Sequence, residues 1–388
     1  MKSAKVKIYS KKSSAYLKES SAYSKKNYKI FKHFSGLDYS IVVPLFLLVG
    51  FGLIMVYDAS VVQAYKDFGD KYYYIKQQLL WALLGFSGLV FCSIFPYQNY
   101  KKVALPLFIF SFLLLILVLI PGLGIAAGGA HRWLKLGPIT VQPAEIIKLS
   151  MIVFLAALFE KRVRTVPFIL SLIAVSLILG VFQRDLGSTI VFFVIALAIY
   201  VASGASLMYF LFLAPFALAG LVYFILSSHY RRQRVIAFLD PFYDPQGYSY
   251  HISQILIALG SGSLFGLGLG QSRQKFEYIP EVTTDSIFAI VGEEFGFLGA
   301  LVLILIFCYL IYRAFKISEN IEDRFGKLLA FGLTCWLGVQ LAINLAAMVS
   351  LIPLTGVPLP FISYGGSALL TNLVAVGILL NISRSSKA

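Results

Sequence analysis

Apolar runs of about 17 to 25 residues follow one another from Ile41 to the C-terminus, parted by short polar or glycine- and proline-rich stretches. A run of that length, coiled as a helix, crosses a hydrocarbon layer of about 30 Å. The pattern predicts ten spans, at approximately 39 to 57, 77 to 96, 103 to 121, 143 to 160, 166 to 183, 188 to 204, 207 to 227, 286 to 312, 328 to 350 and 367 to 383. The fifth and sixth are parted only by the segment "QRDLG". The expected fold is an all-α polytopic membrane protein with no separate soluble domain.

Composition agrees: 59% of the 388 residues are hydrophobic and only 13% charged. The net charge of +15 is concentrated in residues 1–36, a lysine-rich tail with one acid, Glu19, and no apolar core of a cleavable signal peptide. The positive-inside rule keeps that tail cytoplasmic, and an even number of spans returns residues 385–388 to the same side. Lys101, Lys102, the "EKRVR" segment, Arg313, Lys316, Arg324 and Lys327 then fall inside too. The organisation read from this is a basic, disordered cytoplasmic tail (1–36), a membrane domain (37–384) and a cytoplasmic C-terminus (385–388). The tail's lysines suit anionic headgroups and membrane lipids. Nucleic acid is not an expected partner, because the lysines are not interleaved with stacking aromatics on a recognisable fold. Cys92, Cys308 and Cys335 show no disulfide or zinc spacing, and the four histidines form no metal-ligand pattern.

The segments left outside are about 58 to 76, 122 to 142, 184 to 187, 228 to 285 and 351 to 366. Nearly every unusual residue falls there. The segment 228–285 is too long for a plain connector and too apolar for a disordered one, and "HISQILIAL" within it fits an interfacial helix. The following "GLGLG" matches neither a Walker loop nor a dinucleotide fingerprint.

The stretch "EYIPEVTTDSIFAIVGEE" gathers carboxylates in a chain that has few. Glu277, Glu281 and Asp285 are four apart, but Pro280 argues against one continuous helix. Asp285 falls at the outer lip of the eighth span. Glu293 and Glu294 lie about 12 Å further along a helix axis, where an acid costs about 2.5 to 3.5 kcal/mol on the insertion scale and requires a partner, a cation or a cavity. A buried arginine or lysine from another span is the plain structural explanation.

A second cluster, "GGAHRWLKLGPITVQPAEIIKLS", offers Arg132 and Lys135 as phosphate donors and Trp133 as a headgroup-level ring. In it Glu145 and Lys148, at i and i+3, either neutralise each other or wall a substrate cavity. Asp185 in "QRDLGS" is a third acidic position. The proline- and glycine-rich "IPLTGVPLPFISYGGSA" predicts a non-helical path at membrane depth, where Ser363 and Tyr364 offer hydroxyls to a ligand or satisfy backbone groups.

These segments, with "YHISQILIALGSGSLFGLGLGQSRQKFEYIPEVTTDSIFAIVGEEFGFLG" and "GVPLPFISYGGSALL", resemble the SEDS family (shape, elongation, division and sporulation) across the whole membrane portion. "GLGLGQSRQKFEYIPE" is more similar to the division branch, FtsW, than to the elongation branch, RodA. The chain departs from the family pattern at Thr283 (commonly histidine), Ser286 (phenylalanine) and Arg184 (proline).

The resemblance implies a ten-helix peptidoglycan glycosyltransferase polymerising lipid II at the outer membrane face. The glycan on undecaprenyl pyrophosphate is the implied donor and the 4-hydroxyl of N-acetylglucosamine on lipid II the acceptor. It further implies a catalytic Asp285 and a functionally important Glu277. Substrate contacts are expected from Arg132, Trp133, Lys135, Gln142, Glu145, Lys148, Asp185, Gln274, Lys275, Glu277, Glu281, Glu294, Ser363 and Tyr364. Arg132, Lys135 or a carboxylate-bound divalent cation (Mg2+ or Mn2+) are candidates to meet the leaving pyrophosphate's charge, although no cofactor follows from the residues. The implied partner is a class B penicillin-binding protein transpeptidase, with other division proteins. A lipid II flippase or other transporter, an elongation-type polymerase and a noncatalytic division scaffold are the alternatives.

Overall fold

The computed structural model describes residues 38–386 apart from 128–129, 138, 277 and most of 207–228. Nine of the expected spans fall on described helices, and the one at 207–227 lies mostly outside the described residues, as do the basic tail and the chain's last two residues. In chain order these helices are α1 (Tyr39–Phe68), α2 (Tyr73–Ile94), α3 (Tyr100–Leu117), α4 (Pro143–Phe159), α5 (Thr165–Leu177) and α6 (Leu186–Ala202). Two shorter helices, α7 (His229–Leu239) and α8 (Tyr250–Ser261), precede α9 (Ile287–Asn320), α10 (Arg324–Met348) and α11 (Gly366–Ser386). Among the described residues, seven helices are long and apolar enough to cross a membrane. α3 turns Val103, Leu105, Ile109, Phe110 and Leu113 outward, an apolar surface that only lipid or protein can cover.

α11 is the buried axis of the bundle. It approaches α2 closely because glycines stand at the contact: a Cβ on Gly85 would lie 2.5 Å from Leu373 Cδ1, and one on Gly377 would lie 2.5 Å from the Leu89 carbonyl. Basic residues tie down one end of the bundle. Arg313 pairs with Asp38 at 3.3 Å, Lys101 with Glu160, and Arg324 donates to the Ser203 carbonyl at 2.9 Å.

The structure departs from the expected fold in three places. Residues 124–141 form a three-stranded antiparallel sheet, β1 (Gly124–Ala127), β2 (Ala130–Leu136) and β3 (Ile139–Val141), so the fold is mostly rather than wholly helical. In "HRWLKL" successive residues face opposite ways, with Leu134 buried and Lys135 exposed, and Gly137 at φ 65° permits the turn into β3. α1 continues through the segment expected to leave the membrane, until Gly69 at φ 68° caps it through the Tyr65 carbonyl. Asp58 is therefore helical. α9 is broken at Gly296 (φ 67°, ψ −169°), and the loop after α8 fills the break: Leu267 and Gly268 N–H groups donate to the Glu293 and Glu294 carbonyls at 3.0 and 2.9 Å. The non-helical path expected at 351–366 is present, with Val357, Leu359, Phe361 and Ile362 buried.

Candidate functional site

Asp285 sits two residues before α9, at the end of the bundle opposite the basic cluster. A run of turns over 278–286, rather than a helix, delivers it there, as Pro280 requires. Two other elements fix its backbone. Asn344 Nδ2 on α10 donates at 2.8 Å to both the Asp285 and the Val357 carbonyls, and the Tyr364 N–H donates to the Thr283 carbonyl at 2.8 Å. The 351–365 segment is thereby held against the loop, with Gly356, at φ 71°, close to Asp285 Oδ2.

The two carboxylate oxygens of Asp285 differ. Oδ1 receives the hydroxyls of Thr284 at 3.4 Å and Ser286 at 3.5 Å, whereas Oδ2 faces the position of the missing Gly356 side chain, 3.9 Å from a Cβ built there. Ser286 Oγ is in turn 2.8 Å from His251 Nε2 on α8. The Thr284 hydroxyl also reaches Glu281 Oε2 at 3.1 Å, and Glu281 is held in the left-handed region at φ 52°. A cleft of about 180 Å3 opens beside His251, its wall formed by Arg234, Phe238, Tyr248, His251 and Pro353 among others.

Burial governs the electrostatics here. Asp285 is only 8% exposed, and desolvation, assisted by the Glu281 charge and opposed by Arg234, pushes its carboxyl up to about 7. Burial and then Arg234 bring His251 down to about 4, so its imidazole is neutral at neutral pH. The site therefore holds a carboxyl able to exchange a proton near neutrality, beside a neutral imidazole and a guanidinium.

The other acids of the opening stretch are built differently. Lys275 Nζ lies 2.8 Å from Asp58 Oδ1 and 3.1 Å from Glu294 Oε1. Glu293 accepts from the Arg273 and Gln274 N–H groups at 3.0 and 3.3 Å and from the Ser272 hydroxyl. Glu294 also accepts from the Ser272 N–H at 3.0 Å. The cationic partner expected from another span comes instead from the loop after α8, and the span α1 contributes a further acid.

The remaining candidate residues occupy three settings. Asp185 caps α6, accepting from Ser188 N and Oγ at 3.1 and 2.9 Å. Arg132 on β2 approaches it at 4.0 Å and donates to the Arg184 carbonyl. Arg184 adopts φ 51°, a conformation closed to the proline of the family pattern. Trp133 is half-buried, Lys135 is exposed, and Gln142 bonds through its N–H to Ser367 Oγ at 3.0 Å. Glu145 and Lys148 pair at 2.8 Å with both side chains 1% exposed, and Lys148 lies over the Trp336 ring at 5.5 Å. Ser363 Oγ accepts from the Leu359 N–H at 2.8 Å, and the Tyr364 ring packs edge-on against Tyr74 at 5.0 Å. Gln274 is part of the loop around Glu293, and Glu277 lies outside the described residues.

The structure thus brings Asp285, Glu281 and the 351–365 segment together, and Gly187 of α6 meets that segment too, a Cβ there lying 2.3 Å from the Thr355 carbonyl. Sequence reasoning missed Arg234, His251, Asn344, Ser286 and Asp58 as participants. Asn344 carried a signal, being an amide within an apolar span. The others became visible only through chain crossings. Among the described residues no three His, Cys, Asp or Glu side chains converge as a metal-holding group.

A family model described as "Cell cycle protein", for FtsW, RodA and SpoVE, matches residues 39–388. A relative from Geobacter sp. (strain M18) named "Probable peptidoglycan glycosyltransferase FtsW" is 40% identical, covering 90% of this chain and 97% of its own. Stage V sporulation protein E of Bacillus subtilis (strain 168) is also 40% identical, over 90% of this chain and 98% of its own. A solved chain described under "Structural coordination of polymerization and crosslinking by a peptidoglycan synthase complex" superposes with a TM-score of 0.75 at 27% identity, covering 90% of this chain and 98% of that one. The rod shape determining protein RodA of Thermus thermophilus gives 0.67 at 25% identity, over 91% and 98%. Matched from the first spanning helix to its last residue, this multi-pass membrane protein belongs to the FtsW/RodA/SpoVE family, the SEDS family.

Proposed function

We propose that the chain is a peptidoglycan glycosyltransferase that polymerises lipid II into glycan strands at the outer face of the cytoplasmic membrane, during septal wall synthesis, with Asp285 as general base. The observation that carries this reading is a buried carboxyl, Asp285, with one oxygen facing the space at Gly356 and the other linked through Ser286 to His251 in the wall of a cleft that also holds Arg234; burial raises that carboxyl towards neutrality. A base poised near the working pH is in the right form often enough and still accepts a proton readily. The names of the FtsW relatives support the reaction class.

Asp285 Oδ2 takes the proton of the acceptor's 4-hydroxyl as that oxygen bonds to the donor's anomeric carbon. The bond from that carbon to the undecaprenyl diphosphate oxygen breaks, and the diphosphate leaves with the electron pair. Arg234 is the nearby cation that meets the developing charge. Prenyl tails kept in the bilayer hold both substrates at one depth. In this reading the chain crosses the membrane ten times, with both termini and the basic end of the bundle in the cytoplasm and the long 228–285 segment outside. A class B penicillin-binding protein transpeptidase is the proposed crosslinking partner, in keeping with the synthase-complex title of the structural relative.

The test is glycan polymerisation from lipid II by the purified chain with its transpeptidase partner. Asp285→Asn is expected to lower turnover by about 10² to 10⁴ while remaining monodisperse and membrane-inserted. Wild-type turnover by that variant would remove Asp285 as the base.

A further inference from the structure

Asp285 presents two oxygens in unlike surroundings. Oδ2 borders the open space beside Gly356, while Oδ1 is met by the Thr284 and Ser286 hydroxyls. A hydroxyl rotates to suit its neighbours, so what Ser286 does for Oδ1 depends on its other partner. That partner is His251 Nε2 at 2.8 Å. Ser286 is fully buried and His251 is half-buried in the wall of the cleft, leaving bulk water little access to either bond. If the imidazole carries its proton on Nε2, it donates to Ser286 Oγ, and the serine's own proton is directed at Asp285 Oδ1. The reverse arrangement would present a serine lone pair to a carboxylate oxygen, which is repulsive.

We infer that His251 and Ser286 form a positioning pair for Asp285: the Nε2–H tautomer of His251 orients the Ser286 hydroxyl onto Oδ1, fixing the carboxylate so that Oδ2 faces the acceptor hydroxyl. The inference rests on Asp285 acting as the base. The pair also favours the ionised carboxylate, since a donated hydrogen bond stabilises the charge that burial disfavours. The charged groups facing Asp285 act alongside it: Glu281 from the same loop opposes ionisation, and Arg234 from α7 favours it. Burial and Arg234 keep His251 neutral, so the direction of the Ser286 bond is set by which ring nitrogen carries the proton. Thr284 also donates to Oδ1 and lowers the Asp285 carboxyl, while sharing its hydroxyl with Glu281 Oε2.

The experiment measures kcat and KM for lipid II polymerisation across pH for the full chain with its transpeptidase partner, as wild type, Ser286→Ala, Ser286→Thr, His251→Phe and His251→Gln. Losing one net hydrogen bond is worth roughly one pH unit or less. Ser286→Ala and His251→Phe should each move the acidic limb upward by about half a unit to one unit and lower kcat at neutral pH about two- to fivefold, with KM unchanged. Ser286→Thr and His251→Gln, which keep a hydroxyl and an N–H donor, should restore most of both.

An unmoved limb in Ser286→Ala overturns the inference. So does a change in KM alone for His251→Phe, which would make His251 only a wall of the cleft. Should His251→Phe aggregate, Ser286→Ala decides alone. Asp285→Asn is run in parallel to separate the two readings. If it is inactive while Ser286→Ala and His251→Phe match wild type, the base stands and the positioning pair falls; if it polymerises normally, the base itself falls.

Discussion

Two acidic regions separated by only a few residues of sequence are built on opposite plans. Around Glu293 and Glu294 the carboxylates are densely partnered: backbone N–H groups, a serine hydroxyl and the Lys275 ammonium occupy Glu293 and Oε1 of Glu294, inside a break in α9 that a glycine loop fills, and only Glu294 Oε2 is left without a hydrogen bond. Around Asp285 the donors are two hydroxyls at the long limit of bonding, and one oxygen faces an absent side chain. The Lys275 ion pairs make the first cluster a joint. Its ion pairs fasten α1, α9 and the start of the 272–286 loop to one another, whereas the second keeps a carboxyl under-solvated and ready to change protonation state. Burial alone does not separate them, since Glu294 is 1% exposed and Asp285 8%. Partners do.

The sharpest way to break this comparison is to remove the joint's cation. Lys275→Met leaves Asp58, Glu293 and Glu294 together without an ammonium, and an uncompensated buried charge costs about 3–5 kcal/mol. The variant should show a large loss of thermal stability in detergent, and Lys275→Met/Glu294→Gln should recover much of it. Equal stability of Lys275→Met and wild type would show that the cluster is not a joint.

The converse holds at Asp285, where the sign of the linkage is opposite to that of a salt-bridged acid. Its folded-state carboxyl is raised from 3.8 to about 7, so the folded protein holds the proton more tightly than the unfolded chain. The destabilisation from ionising it is absent below the unfolded value and complete above about 7. Asp285→Asn should therefore stabilise the protein at alkaline pH, by on the order of 2–4 kcal/mol, with the gain vanishing as pH falls towards 4. Thermal unfolding at several pH values checks this. A variant that is less stable than wild type at every pH would mean that Asp285 is a structural anchor.

The apolar periodicity made most of the bundle legible, because span length and side-chain hydropathy act locally. Asp285 was legible as a candidate too, since a carboxylate at the lip of a span needs no charge partner to stabilise the fold. The Glu145 and Lys148 pair was readable as an alternative from its i, i+3 spacing. The hidden parts all depend on long-range crossings. Nothing near Asp58 announces Lys275, which lies far along the chain and reaches it only because α1 continues to Gly69. Nor does α8 announce that His251 will meet Ser286. The small sheet was hidden for another reason: its strands are short, and the hydrophobic runs beside them dominate any window wide enough to detect a span.

The smallest expected effect concerns a carboxylate that lies between the two plans. Asp185 lies at the same end of the bundle as Asp285, and Gly187 just beyond it touches the 351–365 segment that borders the Asp285 carboxyl. Yet its oxygens are committed to the first turn of α6, accepting from Ser188 twice, and Arg132 approaches at 4.0 Å. A helix cap of this kind is worth about 1 kcal/mol. Asp185→Asn keeps an acceptor for the Ser188 N–H and should leave stability nearly intact, while Asp185→Ala should lose about that amount. If capping is all that Asp185 contributes, polymerisation by Asp185→Asn stays within about threefold of wild type, since 1 kcal/mol corresponds to less than a factor of ten. A fall approaching that of Asp285→Asn, in a variant whose stability is unchanged, would instead place a second reacting or substrate-binding carboxylate on the far side of the 351–365 segment, and the division into holding and reacting acids would have to be redrawn there.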